Sequence, residues 1–247
     1  MLEVTWDYTA LAATYDKRGD YADLAIDKLL DRAAPDRNLP IADIGAGTGK
    51  LTKMLLARGF TVNAVEPNDA MRGFGIDNTA GESVVWSVGT GEATGLDASA
   101  HDLVTFGSSF NVTDRQAALK EVARLLKPDG WFACMWNHRN LETALQRACE
   151  DAIKQRIDDY GYGTRREDQT EVIRASSLFR PSEFIEESVV HQIPRADFMA
   201  AWASHGTLQR QAGDKFNDVI EAIDAAVPDD PVLDVEYTTR LWCAQLA

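Results

Sequence analysis

From Pro40 to Trp136, short apolar runs alternate with segments whose apolar residues recur three and four positions apart, the pattern of strands interleaved with helices. Residues 41–44, 61–65, 84–88, 103–106 and 131–136 are the five predicted strands. The last of them is apolar on both faces, as a central strand covered by helices must be. Leu51, Leu55 and Leu56 supply the apolar face of one helix, with Gly59 expected as its carboxyl cap. Leu119, Val122, Ala123 and Leu126 mark a second helical stripe, closed by Lys127-Pro128-Asp129-Gly130. Five βα repeats with short connections imply an α/β fold with a doubly wound, mostly parallel sheet.

The flanks follow other rhythms. Residues 1–38 read as helical, with Tyr21, Leu24, Ala25 and Leu29 on one face and Ala33-Ala34-Pro35 ending the run. Tyr8 and Tyr15 precede that stripe; they either anchor the segment by packing or belong to a lid over a ligand. Beyond Asn137, residues 141–178 are charged and helical in parts, interrupted by Tyr160-Gly161-Tyr162-Gly163. Residues 188–193 and 237–244 read as two more strands, separated by a helical stretch over 196–226. No internal repeat or low-complexity tract interrupts the chain.

Composition narrows the partners. A net charge of −14 over 247 residues repels phosphate backbones and anionic membranes, so neither a nucleic acid nor a membrane is expected as partner. Cys134, Cys149 and Cys243 lie far apart without ligand-like spacing, and the two in predicted strands are expected to be buried free thiols. No His/Asp cluster has the spacing of metal ligands, so no metal is expected. Residues 1–20 are polar and charged where a signal peptide needs an apolar core, and no apolar run approaches membrane-spanning length. A cytoplasmic protein is expected.

The chemistry centres on Asp43-Ile44-Gly45-Ala46-Gly47-Thr48-Gly49-Lys50, a strand end, a turn stripped of side chains and a helix start. Alternate glycines permit positive φ where the chain reverses and let a ligand approach backbone. A phosphate-binding loop would need glycine at position 44 and a hydroxyl at 51, but Ile44 and Leu51 stand there. A dinucleotide fingerprint would want a small residue where Lys50 sits, which weakens that reading without removing it. The remaining reading joins GxGxG to Asp43 two residues earlier and to Glu66 at the end of strand two. An ionised Glu66 can accept both hydroxyls of an adenosine ribose, and Asp43 lies near where an amino-acid ammonium could sit.

In these residues the chain resembles the class I S-adenosylmethionine-dependent methyltransferases. Residues 43–49 look like the first motif of that family, and Val65-Glu66-Pro67-Asn68 with Met71 like its second. Gly91-Glu92-Ala93-Thr94 resembles the loop that holds the adenine edge, while His101-Asp102-Leu103-Val104 and the segment 126–131 resemble the fourth and fifth strand signatures. The resemblance covers about 40–137 in ordered register and the flanks by architecture only. It implies a seven-stranded sheet with the last strand antiparallel and helical lid insertions, in one domain over 1–247. Residues 1–38 would form a helical lid, 39–138 the cofactor-binding core, and 139–247 insertions and edge strands around an acceptor. It further implies S-adenosyl-L-methionine as cofactor, contacted by Tyr15, Asp43, Gly45, Ala46, Gly47, Gly49, Glu66, Pro67, Met71, Gly91, Glu92, Ala93 and Phe106. The segment Gly107-Ser108-Ser109-Phe110-Asn111 departs from family signatures for methylating adenine or amino-acid amides, which disfavours those branches.

A sulfonium methyl is already a strong electrophile, so in-line displacement chiefly needs an aligned nucleophile. The activity expected is methyl transfer to an O or N atom of a small-molecule acceptor. His138, directly after strand five, is the candidate catalytic residue, as base or as acceptor-positioning group; the alternative is that it bonds backbone at a strand end. Tyr8, Phe110, Asn111, Arg139, Tyr160 and Tyr162 are the candidate acceptor contacts, with Arg165 beside them in the same Gly-flanked loop. His205 is expected on a helix surface. A non-catalytic S-adenosylmethionine-binding sensor is the rival reading, predicting binding without turnover. Identity of the acceptor and oligomeric state are not readable from the residues.

Overall fold

The computed structural model describes residues 19–34 and 40–247. Its seven strands are β1 (Ile41–Ile44), β2 (Val62–Val65), β3 (Val84–Ser87), β4 (His101–Gly107), β5 (Leu126–Arg139), β6 (Glu183–Pro194) and β7 (Val232–Gln245). They lie in the order β3-β2-β1-β4-β5-β7-β6, and β7 runs antiparallel to both neighbours. The expected seven-stranded, mostly parallel α/β sheet is therefore present. The chain runs outward from β1 to β3 and then returns to β4, so the winding reverses between β1 and β4. A reversal of this kind opens a crevice at the carboxyl ends of the strands.

The helices are α1 (Asp23–Ala33), α2 (Lys50–Leu56), α3 (Asp69–Asn78), α4 (Arg115–Leu125), α5 (Ala144–Lys154), α6 (Thr170–Ala175), α7 (Arg195–Ala203), α8 (Gly206–Ala212) and α9 (Phe216–Ala226). Ile26 and Leu29 of α1 and Leu51 and Leu55 of α2 bury one sheet face with Ile41, Val62 and Leu103. On the other face Leu119, Val122 and Leu125 of α4 pack with Ile44, Val104 and Phe132. Each such side chain, fully withdrawn from water, contributes about 1.5–3 kcal/mol.

Several local expectations shift. Leu24, expected on the buried stripe, is 53% exposed, because α1 begins at Asp23 and turns Ala25, Ile26, Leu29, Leu30 and Ala33 inward. Gly59 does not cap α2 directly; it lies two residues beyond the cap Ala57, at φ +83°, where a left-handed backbone is needed. Lys127-Pro128-Asp129-Gly130 does not form a simple closing turn. His101 pairs with Leu126 and Leu103 with Trp131, so these four residues bulge out of β5, with Asp129 at φ +63°.

The last two strands are longer than the predicted 188–193 and 237–244. In β6 alternate residues are exposed, so no continuous apolar run announces it. β7 pairs with β5 from Gln245 to Tyr237, but its first residues pair only with β6. The hairpin thus overhangs the sheet. On that overhang Ile193, Leu233 and Val235 form a third core with Ile153 of α5, Trp202 of α7 and Ile223 of α9. The helical stretch expected over 196–226 is three helices, held over the carboxyl edge by this cluster. All three cysteines are buried and free. Among the described residues no helix is long and apolar enough to cross a membrane, and no group of side chains could hold a metal ion.

Candidate functional site

A cavity of about 640 Å³ occupies the crevice, within the size range of small-molecule sites. At its floor the β1–α2 turn places Gly45 at φ +64° and Gly47 at φ +61°. A Cβ on Gly45 would fall 2.5 Å from that of Ser109, and one on Gly47 3.3 Å from Met71 Cε. Packing as well as φ therefore requires bare backbone at Gly45, while at Gly47 the positive φ is the stricter demand, since the end of Met71 can shift. Gly45, Ala46 and Gly47 line the cavity; Gly49 does not. Its bare face abuts Trp86, 3.3 Å from where a Cβ would stand, so the third glycine serves the seating of α2.

Two carboxylates face the same space. Glu66 Oε2 accepts the Gly47 N–H at 2.9 Å and Oε1 accepts that of Asn68 at 2.9 Å. Burial nevertheless raises its pKa, against those two donors. Asp43 is fully buried and accepts from Thr52 Oγ1 at 2.7 Å and Thr105 Oγ1 at 3.1 Å. Burial outweighs these hydroxyls and raises its pKa to about 6. Beside them the Thr48 and Thr90 hydroxyls are buried without a partner among the described residues. Both border the cavity, so the residues present fit an adenosyl ligand with a cationic amino-acid end: unused donors, two carboxylates and an open backbone.

Pro67, Met71, Gly91, Glu92 and Phe106 also border it. The Glu92 carboxylate is tied to the Asp114 N–H at 2.7 Å, at the start of α4. Ala93 is off the cavity; its N–H bonds Thr90 O at 3.3 Å in a tight turn. Thr90 was missed by sequence reasoning, since a threonine in a loop carries no motif.

Two expected acceptor contacts fall elsewhere. Phe110 is fully buried in the core, its ring centroid 5.4 Å from that of Phe106 and 5.2 Å from that of Phe132. Asn111 Oδ1 accepts the Trp136 indole N–H at 2.9 Å, so its side chain anchors β5. Tyr8 and Tyr15 lie outside the described residues. Tyr21 borders the cavity and exchanges a hydrogen bond with Ser108 at 2.9 Å.

The remaining candidates do converge. β5 ends in His138 and Arg139, and Tyr160, Tyr162 and Arg165 border the same cavity from the loop after α5. Residues 42–134 match the family of the methyltransferase domain. An uncharacterized methyltransferase of Mycobacterium tuberculosis is 34% identical over 139 residues, 56% of this chain and 55% of that protein. The chain thus spans about half the length of that relative. A ubiquinone/menaquinone biosynthesis C-methyltransferase of Caulobacter is 30% identical over 171 residues, 62% of this chain and 68% of its own length. This chain belongs to the class I S-adenosylmethionine-dependent methyltransferase family. A putative type II methyltransferase structure from Anaeromyxobacter dehalogenans, 20% identical, shares the fold with a TM-score of 0.63 over 92% of this chain and 97% of that one.

Opposite the glycine turn, this methyltransferase-family cavity is aromatic and cationic. Arg139 donates to Glu150 Oε2 at 2.7 Å and lies 4.6 Å from the Trp202 ring centroid. Tyr162 donates to the same carboxylate, and Arg166 stacks over Tyr162 at 3.9 Å. Burial resists ionisation of Glu150, but Tyr162 and Arg139 hold its pKa below the ordinary value. Burial, then Arg166, Arg240 and Arg165, lower the His138 pKa to about 3. Its Nε2 is buried without a partner among the described residues. Arg166, Trp202 and His205 were not foreseen here. His205 caps α8 through Nδ1, which accepts from Leu208 N at 3.1 Å, and borders the cavity instead of standing on a helix surface. The doublet Arg165-Arg166 in a glycine-bounded loop was the available signal for Arg166.

Proposed function

We propose that the chain transfers the methyl group of S-adenosylmethionine to an O or N atom of a small-molecule acceptor. The carrying observation is that one cavity joins the glycine turn, Asp43 and Glu66 to His138, Arg139, Tyr160 and Tyr162. Two ligands must meet for group transfer, and a shared enclosed space supplies their alignment. Effective proximity of this kind lowers a barrier by about 7–11 kcal/mol in favourable cases. The cofactor, when bound, supplies an electrophilic methyl group.

The chain's own residues divide the remaining work. Gly45 and Gly47 admit the ligand to backbone distance; Glu66 suits a ribose diol, and Asp43 an ammonium. Thr48 and Thr90 offer hydroxyls at the adenosyl end. His138, with its pKa lowered to about 3, stays neutral near pH 7. That supports acceptor positioning through a neutral imidazole over proton abstraction, since so weak a base holds a proton poorly. The Caulobacter relative is named as a C-methyltransferase; a carbon acceptor is the competing outcome.

Calorimetric titration of S-adenosylmethionine into the protein and into Glu66→Ala tests the cofactor half. Binding by the parent, weakened at least ~tenfold in the variant, is expected from loss of a charge-assisted acceptor. Equal affinity in both would overturn the assignment of Glu66.

A further inference from the structure

The two ends of the cavity carry opposite charge. Asp43 and Glu66 form an acidic end, suited to a cationic ligand. Arg139, Arg165 and Arg166 border the other end, in a chain whose net charge is −14. Among the described residues Arg165 and Arg166 meet no carboxylate within ion-pair distance, whereas most of the arginines elsewhere on this acidic surface do. The carboxylate that reaches this cluster, Glu150, is already engaged by Arg139, Tyr162 and Lys154.

Stacking fixes the orientation of these guanidinium groups without neutralising them. Arg166 lies over Tyr162 and Arg139 over Trp202, so both planar forks are held before any ligand arrives. Three polar atoms there are buried with no partner among the described residues: Arg139 Nη1, His138 Nε2 and Tyr160 Oη. Buried donors left unpaired call for a ligand acceptor. Arg166 Nη2 donates to the Arg139 carbonyl at 3.3 Å, but no carboxylate among the described residues neutralises it or Arg165. Such cations beside the unpaired donors of Arg139 and Tyr160 fit an oxyanion, which takes paired N–H bonds from guanidinium forks.

We infer that the methyl acceptor carries a carboxylate or phosphate group, bound by Arg165, Arg166 and the unpaired Nη1 of Arg139. Calling that anion the acceptor rests on the methyl-transfer reading; the anion site itself stands on the arginines. Its contacts leave the acidic end free, so anion and cofactor bind together and the positive end steers an anionic acceptor into the cavity.

The test titrates citrate, inorganic phosphate and, as neutral control, glycerol into the protein with and without saturating S-adenosylhomocysteine. Calorimetry and tryptophan emission report binding, with Trp202→Phe identifying the signal of the ring against Arg139. Saturable binding of citrate or phosphate is expected, weakened by sodium chloride and absent for glycerol. The tighter of the two anions tells carboxylate from phosphate. Arg165→Gln/Arg166→Gln should weaken the anion at least ~tenfold. Arg166→Lys, which keeps the charge but loses the fork and the stack, should fall between. No saturable binding of either anion, or equal binding by the double glutamine variant at an unchanged melting temperature, would overturn the inference. Failure to bind S-adenosylmethionine, measured separately, would sink the methyl-transfer reading and leave the anion result standing.

Discussion

Asp43 and His138 stand at the two ends of one cavity, and burial shifts them in opposite directions. The Asp43 pKa is raised to about 6, so between its ordinary value near 3.8 and about 6 the folded chain holds a proton that the unfolded chain releases. Stability from this residue is therefore lost as pH rises through about 6. The His138 pKa is lowered to about 3, so between about 3 and 6.5 the unfolded chain binds the extra proton and stability is lost as pH falls. Asp43→Asn should accordingly melt at the same temperature as the parent or higher at pH 7, by up to about 3 kcal/mol, while losing cofactor affinity. Thermal melts and calorimetry at pH 5 and pH 7 check both halves; a variant less stable at pH 7 would show that the charge of Asp43 stabilises the empty fold. Cofactor affinity in the parent should weaken below about pH 6 as Asp43 takes a proton. Turnover at saturating cofactor should show no limb near pH 6.5, because His138 is already neutral there. A limb at that pH, abolished in His138→Gln, would restore the imidazole as a base. Asp43 and the glycines were legible because they share one short turn, and Glu66 because it follows β2, the strand paired beside β1. Arg166 and Trp202 were not: one lies in a loop and the other on a distant helix, and they meet Arg139 only in the folded chain.

At the scale of elements, strands covered on both faces were read well, because burial on two sides leaves a continuous apolar run. β6 extends beyond its apolar stretch at 188–193 because alternate side chains along it face solvent. The register of the segment after β4 was legible, but not the direction of its side chains. Phe110 turned into the core, and Asn111 turned to the indole of Trp136. Asn111→Ala should therefore cost about 1–3 kcal/mol by leaving that buried N–H unpaired, with cofactor affinity unchanged. A drop in melting temperature with unaltered titration is the expected pair of results; an unchanged melt with altered acceptor kinetics would return Asn111 to the acceptor. Gly45→Ala should fail on both counts, since its Cβ would meet Ser109 at 2.5 Å with φ at +64°.

For the whole molecule, the sheet and the hairpin overhang divide the labour. The reversal of winding between β1 and β4 makes the crevice; the helices packed on the hairpin wall its far side with Phe198 and Trp202, while β5 and the loop after α5 bring Arg139, Arg165 and Arg166. A strongly acidic chain thereby encloses a locally positive space. The acidic balance was evident from composition, while the positive interior depends on the fold and was not. At the glycine-turn end the described residues singled out in sequence border the cavity except Gly49 and Ala93; at the far end His138, Arg139, Tyr160 and Tyr162 border it, whereas Phe110 and Asn111 turn elsewhere. On the methyl-transfer reading both halves of the cavity serve one reaction. Incubation of the protein with methyl-deuterated S-adenosylmethionine and a metabolite extract, read by mass spectrometry, tests it most directly. Methyl transfer predicts a labelled product whose mass identifies the acceptor. Tight cofactor binding with no labelled product across several extracts would contradict it.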